Sequence, residues 1–536
     1  MIKRIYLLDL CMVMVCAGML YADSCCVTAT TDSDSCEDEF CKAPFIPRSQ
    51  GISLARSYVG SNRFIHEFES NEDSFAWLFS MALEYYRNRN RDTLGSYFSF
   101  NKGCNSFIVG PDTTAGGTDT NIRNVDLGLS NTFKSRIMLN PKIQNFVIEP
   151  SFYVDLDYHL SGAWFDIRLP ITWTQWKLDC CEEILEKGDA TFAANFVRNT
   201  NDPVAVGATS ALDAFAGKST FGDKKKGLER CKIVCCEESK WGVADVTMNL
   251  GWNFVSKEDW HVAWYFRTIA PAGGEPEGAH IFEPRIGNGR WQVGGGFHGQ
   301  ALFWKLEDKD ISVNGTFDIY ATHLFARHVC RCFDLKDNGC ASRYLLLKEF
   351  NVDGDYNNNL VNFADVFSVV VRSHFDWQME LLAAARIDYK AWSFDLGYNL
   401  WARARERFDC DKIRLCICGS DLDEKDYGIK GLSGAGGSSI GLVDPTSTII
   451  MTSGMNVDAD SNSNLLNQHN IFSKLDFDRS RAPRAISHTL FAYGQHMWKR
   501  EDYSAFLGAG FDIEFGNGNK ALDTWGLSIR AGIYYS

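Results

Sequence analysis

The sequence predicts an all-β fold, a transmembrane antiparallel β-barrel of about 14–16 strands with long Cys-containing extracellular loops. Three observations carry this. Apolar and polar residues alternate with period two over unusually long segments. The connections between those segments alternate short and long. Aromatic residues reach 13% of 536 residues, with 37 Phe and 15 Trp, yet mean hydropathy is only −0.20. A barrel reconciles the last pair, because lipid-facing and lumen-facing residues alternate and their hydropathies average out.

Taken in chain order, Lys3 and Arg4 precede an apolar stretch, residues 5–21, and Ala22 offers a small-residue cleavage site. Residues 1–22 therefore read as a secretory signal peptide. Residues 23–70 read as a Cys-rich segment with a short helix around 47–58, whose Ile52, Ala55 and Val59 share a face that packs on the barrel or a periplasmic partner. Residues 71–536 read as the barrel. No later stretch reaches the roughly 18 consecutive apolar residues of a membrane helix, so any crossing is made by strands.

The first strand sets Phe75, Trp77, Phe79, Met81, Leu83 and Tyr85 on one face. A fainter one is expected near 125–129. Next come Phe146, Ile148, Phe152, Val154, Leu156 and Tyr158, then Phe165, Ile167, Leu169, Ile171 and Trp173 against Asp166, Arg168, Thr172 and Thr174. From Trp241 the pattern is most persistent. Val246, Met248, Leu250, Trp252 and Phe254 oppose Asp245, Thr247, Asn249 and Asn253. Ile311, Val313, Phe317 and Ile319 oppose Ser312, Asn314, Thr316, Asp318 and Thr322. Trp392, Phe394, Leu396, Tyr398 and Leu400 oppose Ser393, Asp395, Asn399 and Arg403. Trp525, Leu527, Ile529, Ala531, Ile533 and Tyr535 form the last apolar face, against Thr524, Ser528 and Arg530. Side chains on a strand point alternately to opposite faces, so each segment has one greasy and one wet side. A soluble sandwich alternates too, but its strands average about five or six residues, whereas these run to about 12–14, beyond the 9–11 or so that a tilted membrane strand needs. Trp241, Trp252, Trp260, Trp291, Trp304, Trp392, Trp498 and Tyr503 stand near strand ends, where amphipathic rings meet the lipid–water boundary.

Short connections at 256–259, 305–309, 389–390 and 499–502 alternate with long ones at 271–290, 323–364 and 406–486, and with 516–523 at the end. Outer-membrane barrels keep this order because short turns face the periplasm and long loops face outside. It places the C-terminus on the periplasmic side. Eleven strands are counted from residue 146 onward. Residues 101–120 fall on the short-turn side in this count although they are long, so one early strand is out of place.

Of 18 cysteines, Cys11 and Cys16 belong to the signal segment. Cys25, Cys26, Cys36, Cys41, Cys104, Cys180, Cys181, Cys231, Cys235, Cys236, Cys330, Cys332, Cys340, Cys410, Cys416 and Cys418 remain, none within a strong strand. In an exported chain these read as disulfide candidates. Their pairing is open, and the groups of three suggest bonds between loops or between chains. Cys330-Arg-Cys332 and Cys416-Ile-Cys418 lack the paired C-x-x-C spacing of structural zinc, so no metal and no cofactor are expected.

The segment Phe45-Ile46-Pro47-Arg48-Ser49-Gln50-Gly51, ahead of a Cys-rich exported barrel, resembles the major-outer-membrane-protein-like porins of chlamydiae and their environmental relatives, including the Legionella type. The resemblance implies a barrel that admits small solutes, is often trimeric, and is cross-linked by disulfides into the envelope. Ser536 follows Tyr535, which shifts the terminal aromatic by one position from the usual barrel ending.

The expected function is therefore a bacterial outer-membrane porin passing small hydrophilic solutes and ions. The alternative is a structural or adhesive envelope protein with the barrel mainly as anchor. Arg168, Asp245, Asn249, Arg267, Asp318, Arg372, Glu380, Asp395, Arg403, Asp512 and Arg530 are the candidate pore-lining residues. Their mixed signs would give a transverse field and modest charge preference. Expected partners are outer-membrane lipid, small solutes, further copies of the chain and disulfide-linked envelope proteins. A net charge of −14 argues against nucleic acid. No catalytic role is expected: Ser368, His374 and Asp376 share a polar face but have no nucleophile elbow. Gly294-Gly295-Gly296 reads as closely packed strand, not a phosphate loop, because no helix follows.

Overall fold

The computed structural model describes residues 44–58, 76–101, 103–111, 121–157, 159–198, 200–257, 259–274, 276–336, 338–351, 353, 356–415, 425–431, 448–449, 465–501, 503–517 and 521–535, all within the unit Phe40–Ser536. The proposed signal peptide lies outside them.

Twelve strands make the wall. In chain order they are β1 (Trp77–Asn88), β2 (Lys142–Asp155), β3 (Ala163–Arg168, resuming as Ile171–Lys177), β4 (Glu237–Val243, resuming as Val246–Lys257), β5 (Trp260–Ala270), β6 (Gln292–Leu306), β7 (Ile311–Arg331), β8 (Val369–Tyr389), β9 (Trp392–Arg403, resuming as Glu406–Leu415), β10 (Ala485–Lys499), β11 (Tyr503–Gly516) and β12 (Thr524–Tyr535). Each pairs antiparallel with the next, and β1 pairs with both β2 and β12, which closes the ring. Closure leaves no strand edge for lipid to face, as a membrane-spanning sheet requires.

The count corrects the expected 14–16. The eleven strands expected from residue 146 onward are present, but only β1 precedes them. Residues 89–141 lie on the long-loop side and form a helix (Arg91–Phe98) and loop strands. Residues 125–127 form a 3-10 turn closed by Gly128, not a strand. Lys134–Leu139 does alternate, with Ser135, Ile137 and Leu139 buried, but it has six residues and pairs only with other loop segments. Local alternation there answers to a small soluble sheet. With that region outside the wall, the short–long order of the connections holds as far as β11; the last connection, 517–523, is no longer than the turn at 156–162.

The longest unbroken strands of the wall are β7 and β8, with 21 residues each. At about 3.4 Å per residue such a strand is roughly 70 Å long, well beyond a hydrocarbon core of about 30 Å even when tilted. Residues 406–415, expected to open the longest loop, instead continue β9 and pair with the upper part of β8. Register shifts in the β7–β8 ladder reset which residues face inward. Above the shift Val371, Ser373 and Phe375 are buried; below it Gln378, Glu380 and Leu382 are. Gly294, Gly295 and Gly296 lie in β6, and a Cβ on Gly296 would meet the Ile319 carbonyl oxygen at 2.3 Å and the Tyr265 hydroxyl at 2.6 Å. The triplet is closely packed strand, as expected.

The exterior carries the greasy faces. Leu250, Phe297, Phe394, Leu396, Leu527, Ile529 and Ile533 are exposed. Below them, toward the short turns, Trp260, Trp304, Tyr389, Trp392, Trp498, Tyr503 and Tyr535 form one aromatic girdle; Trp173, Trp241, Trp291 and Trp377 mark the other end. This is the surface of a multi-strand outer-membrane barrel. Leu396 is 68% exposed. In a soluble protein its replacement would be nearly neutral, whereas Leu396→Arg at a lipid-facing position is expected to cost about 2–4 kcal/mol. Denaturant unfolding from lipid vesicles measures this, and a change below about 0.5 kcal/mol, the size of an ordinary surface substitution, would remove lipid from that face.

The long connections fold together over the mouth. Two four-stranded sheets and several short helices bury Phe107, Ile137, Phe215, Phe333, Phe350 and Phe367 among others. Disulfides Cys180–Cys235 and Cys231–Cys332 tie the 178–236 connection to itself and to the start of the β7–β8 connection. Cys330 and Cys340 are disulfide-bonded as well. Cys330 and Cys410 lie within wall strands, contrary to the expectation that none lies within a strong strand, because these strands run on above the membrane-crossing part; Cys180 and Cys181 open a short strand of the cap. Cys25, Cys26, Cys36, Cys41, Cys416 and Cys418, and the Cys410 side chain, lie outside the described residues.

Candidate functional site: an occupied lumen

The inner wall is built from the polar face of each strand, and it is charged throughout. Asp166 accepts from Asn249 Nδ2 at 2.8 Å and lies 3.1 Å from Arg168; Arg267 Nε donates to Asn249 Oδ1 at 2.8 Å. The Tyr265 hydroxyl donates to Asp318 at 2.7 Å, and Arg267 stacks over the Tyr320 ring at 3.8 Å. On the other side Arg530 lies 3.3 Å from Glu149 and 3.6 Å from Glu84.

Ten of the eleven residues expected to line a pore face this interior: Arg168, Asp245, Asn249, Arg267, Asp318, Glu380, Asp395, Arg403, Asp512 and Arg530. None exceeds 6% exposure. An open aqueous passage would leave them solvent-accessible, so something else fills the space. Arg372 is the exception and a correction. The register shift turns it outward, 38% exposed, where it pairs with Asp409 at 3.2 Å.

The filling is the chain's own N-terminal segment, residues 44–58. Arg48 spans the lumen, giving one nitrogen to Glu380 on β8 at 2.9 Å and another to Glu514 on β11 at 3.1 Å. Glu380 also accepts the Leu54 backbone N–H at 2.8 Å and the Tyr320 hydroxyl at 3.2 Å. Arg56 meets Glu84 on β1 at 3.0 Å and lies over the Tyr86 ring at 4.4 Å. The Tyr58 hydroxyl donates to Asp395 on β9 at 3.3 Å and lies 3.1 Å from the Thr316 hydroxyl on β7, which can donate to it. Arg403 donates to the Ile46 carbonyl at 2.8 Å. Gln50 donates to the Arg285 carbonyl at 2.7 Å and accepts from the Gly287 N–H at 2.9 Å.

The local fold of this plug follows from its residues. Pro47 and Gly51 keep 44–53 extended or turned, and Ser53 caps the one helical turn, Leu54–Ser57, by accepting from the Arg56 N–H. Ile52, Leu54, Ala55 and Tyr58 pack on Leu78, Tyr153, Leu382 and Phe491 of the inner wall. Gly51 sits where β3 and β4 both break: a Cβ there would meet Pro170 Cγ at 2.3 Å and the Asp245 carbonyl oxygen at 3.0 Å. Above, Phe45 enters the aromatic core of the cap, 5.3 Å from the Tyr97 ring and 5.9 Å from Phe98.

The sequence therefore marked the plug, as the motif from Phe45 to Gly51 and the short helix, without showing where it goes. It also passed over Glu84, Glu149 and Glu514, whose signal was available: each is a carboxylate on the polar face of an alternating strand. Ser368, His374 and Asp376 are not assembled. Ser368 donates to the Ala364 carbonyl, while His374 lies on the outer wall, 3.5 Å from Asp409 and 3.8 Å from Asp376. Cys332, weighed as a zinc ligand, is bonded to Cys231.

No family model and no curated protein matches the sequence. Among solved structures the chain is similar to an outer membrane channel from Pseudomonas putida F1, at 10% identity and a TM-score of 0.31, over 87% of this chain and 99% of that one. It is also similar to the transport unit of the autotransporter AIDA-I from Escherichia coli, at 9% and 0.29, over 91% and 99%. A Pseudomonas aeruginosa FadL homologue follows at 7% and 0.26, over 92% and 99%. At such values the likeness assigns neither strand number nor activity; the architecture rests on the strand pairings themselves.

Proposed function

We propose that the chain is an outer-membrane channel for small hydrophilic solutes and ions, and that the arrangement described is its shut form, closed by residues 44–58. One observation carries the reading: the lumen of a polar-walled barrel is filled by a segment that takes no part in the barrel's ladders. None of the twelve pairings of the wall uses a residue of this segment. A plain anchor gains nothing from a charged interior, since burying charge is costly unless it is paired. Further support comes from polar atoms of the wall that are buried yet make no protein hydrogen bond: both amide atoms of Asn399 and of Gln495, and the Thr489 hydroxyl. Asn399 and Thr489 are register partners, and Gln495 lies on the same two strands opposite Ser393. Buried polar groups of this kind are satisfied by water.

The test is solute flux into liposomes with a size series of sugars, together with planar-bilayer conductance, on the whole chain and on a chain lacking residues 44–58. The whole chain is expected to be nearly silent and the shortened one to conduct steadily with a defined size cut-off. A shortened chain that folds, by its heat-modifiable electrophoretic migration, and stays silent would end the proposal.

The second role, attachment to neighbours in the envelope, is favoured by Cys104, Cys181 and Cys236, which are free and exposed on the cap. It also fits the resemblance to the major outer membrane proteins, with assembly into trimers or larger disulfide-linked species. Cells blocked with a thiol-alkylating reagent before lysis are expected to give large complexes that collapse on reduction. A chain with these three cysteines changed to serine is expected to lose them.

A further inference from the structure

Directly above the plug, under the cap, lies a cavity of about 80 Å³. Its wall is apolar on one side, with Phe45, Phe98, Phe100 and Trp176, and cationic on the other, with Arg285 and Arg331. The carboxylates nearby are already engaged. Glu283 accepts the N–H groups of Gly278, Ala279 and His280. Glu406 takes both terminal nitrogens of Arg331, at 2.6 and 2.7 Å. Asp334 holds Arg343, a third arginine of the wall, at 2.7 Å.

Two guanidinium donors are left over. Among the described residues Arg285 makes no side-chain hydrogen bond or ion pair, and the buried Nε of Arg331 has no acceptor. Burial, with Arg331 and Arg327 close by, brings Arg285 down to about 10. Burial brings Arg290, behind it, down to about 9. The region thus carries more positive charge than its own carboxylates balance. The half-buried guanidinium of Arg285 has no protein acceptor among the described residues to compete with a ligand, and beside a ring-lined wall it matches a planar anion with a short apolar tail.

We propose that this cavity binds a short-chain organic carboxylate, its oxygens on Arg285 and its alkyl end against Phe45, Phe98 and Trp176. The volume admits a ligand of about four carbons and not a large aromatic, since a cavity of roughly 150 Å³ is what benzene fills. The site lies above the lumen and does not depend on whether the barrel conducts.

Calorimetric titration of the folded full-length chain in detergent, with sodium butyrate as probe, tests it. Saturable binding is expected, at least tenfold tighter than that of butyramide or of sodium chloride. Arg285→Gln is expected to weaken butyrate at least tenfold, and Arg285→Lys to restore part of the loss. Butyrate is also expected to slow phenylglyoxal modification of Arg285 in the unaltered chain, a readout that needs no variant to fold. Absence of saturable butyrate binding, equal binding of chloride or butyramide, unchanged affinity in folded Arg285→Gln, or modification of Arg285 unaffected by butyrate would each overturn the proposal.

Discussion

A chain carrying both Arg48→Ala and Arg56→Ala is expected to open at least a hundredfold more often in planar bilayers than the unaltered protein. The two guanidinium groups are the plug's charged tethers, to Glu380 and Glu514 and to Glu84 respectively. Removing one partner of a buried pair costs about 3–5 kcal/mol, because the other charge stays buried without compensation. Water entering beside the stranded carboxylates returns part of that cost. A net loss of about 2.8 kcal/mol would correspond to a hundredfold shift between shut and open. The carboxylates belong to the wall and the arginines to the plug, so the penalty is relieved when the plug leaves and water reaches Glu84, Glu380 and Glu514. The barrel itself should be untouched, because neither arginine contributes to a strand ladder. Heat-modifiable migration is therefore expected to match the unaltered chain while conductance rises. Arg48→Lys, which keeps the charge but not the two-pronged reach to β8 and β11, should fall between. Equal open probability in the double variant and the unaltered chain would mean that the segment is held by its apolar side and its uncharged hydrogen bonds, without help from the two arginines.

How far this site was legible in the sequence follows from the physics of each part. Period-two alternation in the strands from Phe146 to Tyr535 reads directly as wall, because lipid on one side and polar surroundings on the other impose it residue by residue. The same logic assigned Asp318, Glu380 and Arg530 to the interior. It misplaced Arg372, because a register shift reverses which residues face inward and leaves no fixed mark in composition. It also overcounted strands, since the faint signal near 125–129 belongs to a 3-10 turn in the cap. The plug's place in the lumen was invisible for a different reason. Its partners stand hundreds of residues away, Arg48 from Glu514 by 466, and nothing local distinguishes a buried arginine from a solvated one. Only the density of charge on the inner faces hinted that the lumen holds something able to pair with it.

Glu406→Ala is expected to loosen the mouth by about 3–5 kcal/mol, the range for breaking a buried ion pair. Glu406 is fully buried where β9 resumes above the membrane-crossing part. It pairs with Arg331 through both oxygens, accepts from the Ser373 hydroxyl and from the Ala482 N–H at 2.9 Å, and lies 3.8 Å from Arg290. One carboxylate thus joins β7, β8, β9 and the 465–484 connection. Burial alone would raise its pKa, but Arg331 and Arg290 outweigh burial and hold it at about 2. Because the folded value lies below the unfolded one, the contribution is complete above about pH 4.3, the ordinary glutamate value, and is lost as pH falls toward 2. Hydrogen exchange at Val369–Tyr389 and Glu406–Leu415 reads both effects. In Glu406→Ala the amides of the upper β8–β9 pairing should exchange a hundredfold or more faster at neutral pH, while β10, β11 and β12 keep their protection. In the unaltered chain the same amides should lose protection between about pH 4 and 2, and that acid response should vanish in the variant, which has no carboxylate left to protonate. Uniform acceleration along every strand would instead mean that mouth and barrel open as one cooperative unit, and the separation drawn between a rigid wall and a locally fastened cap would have to be abandoned.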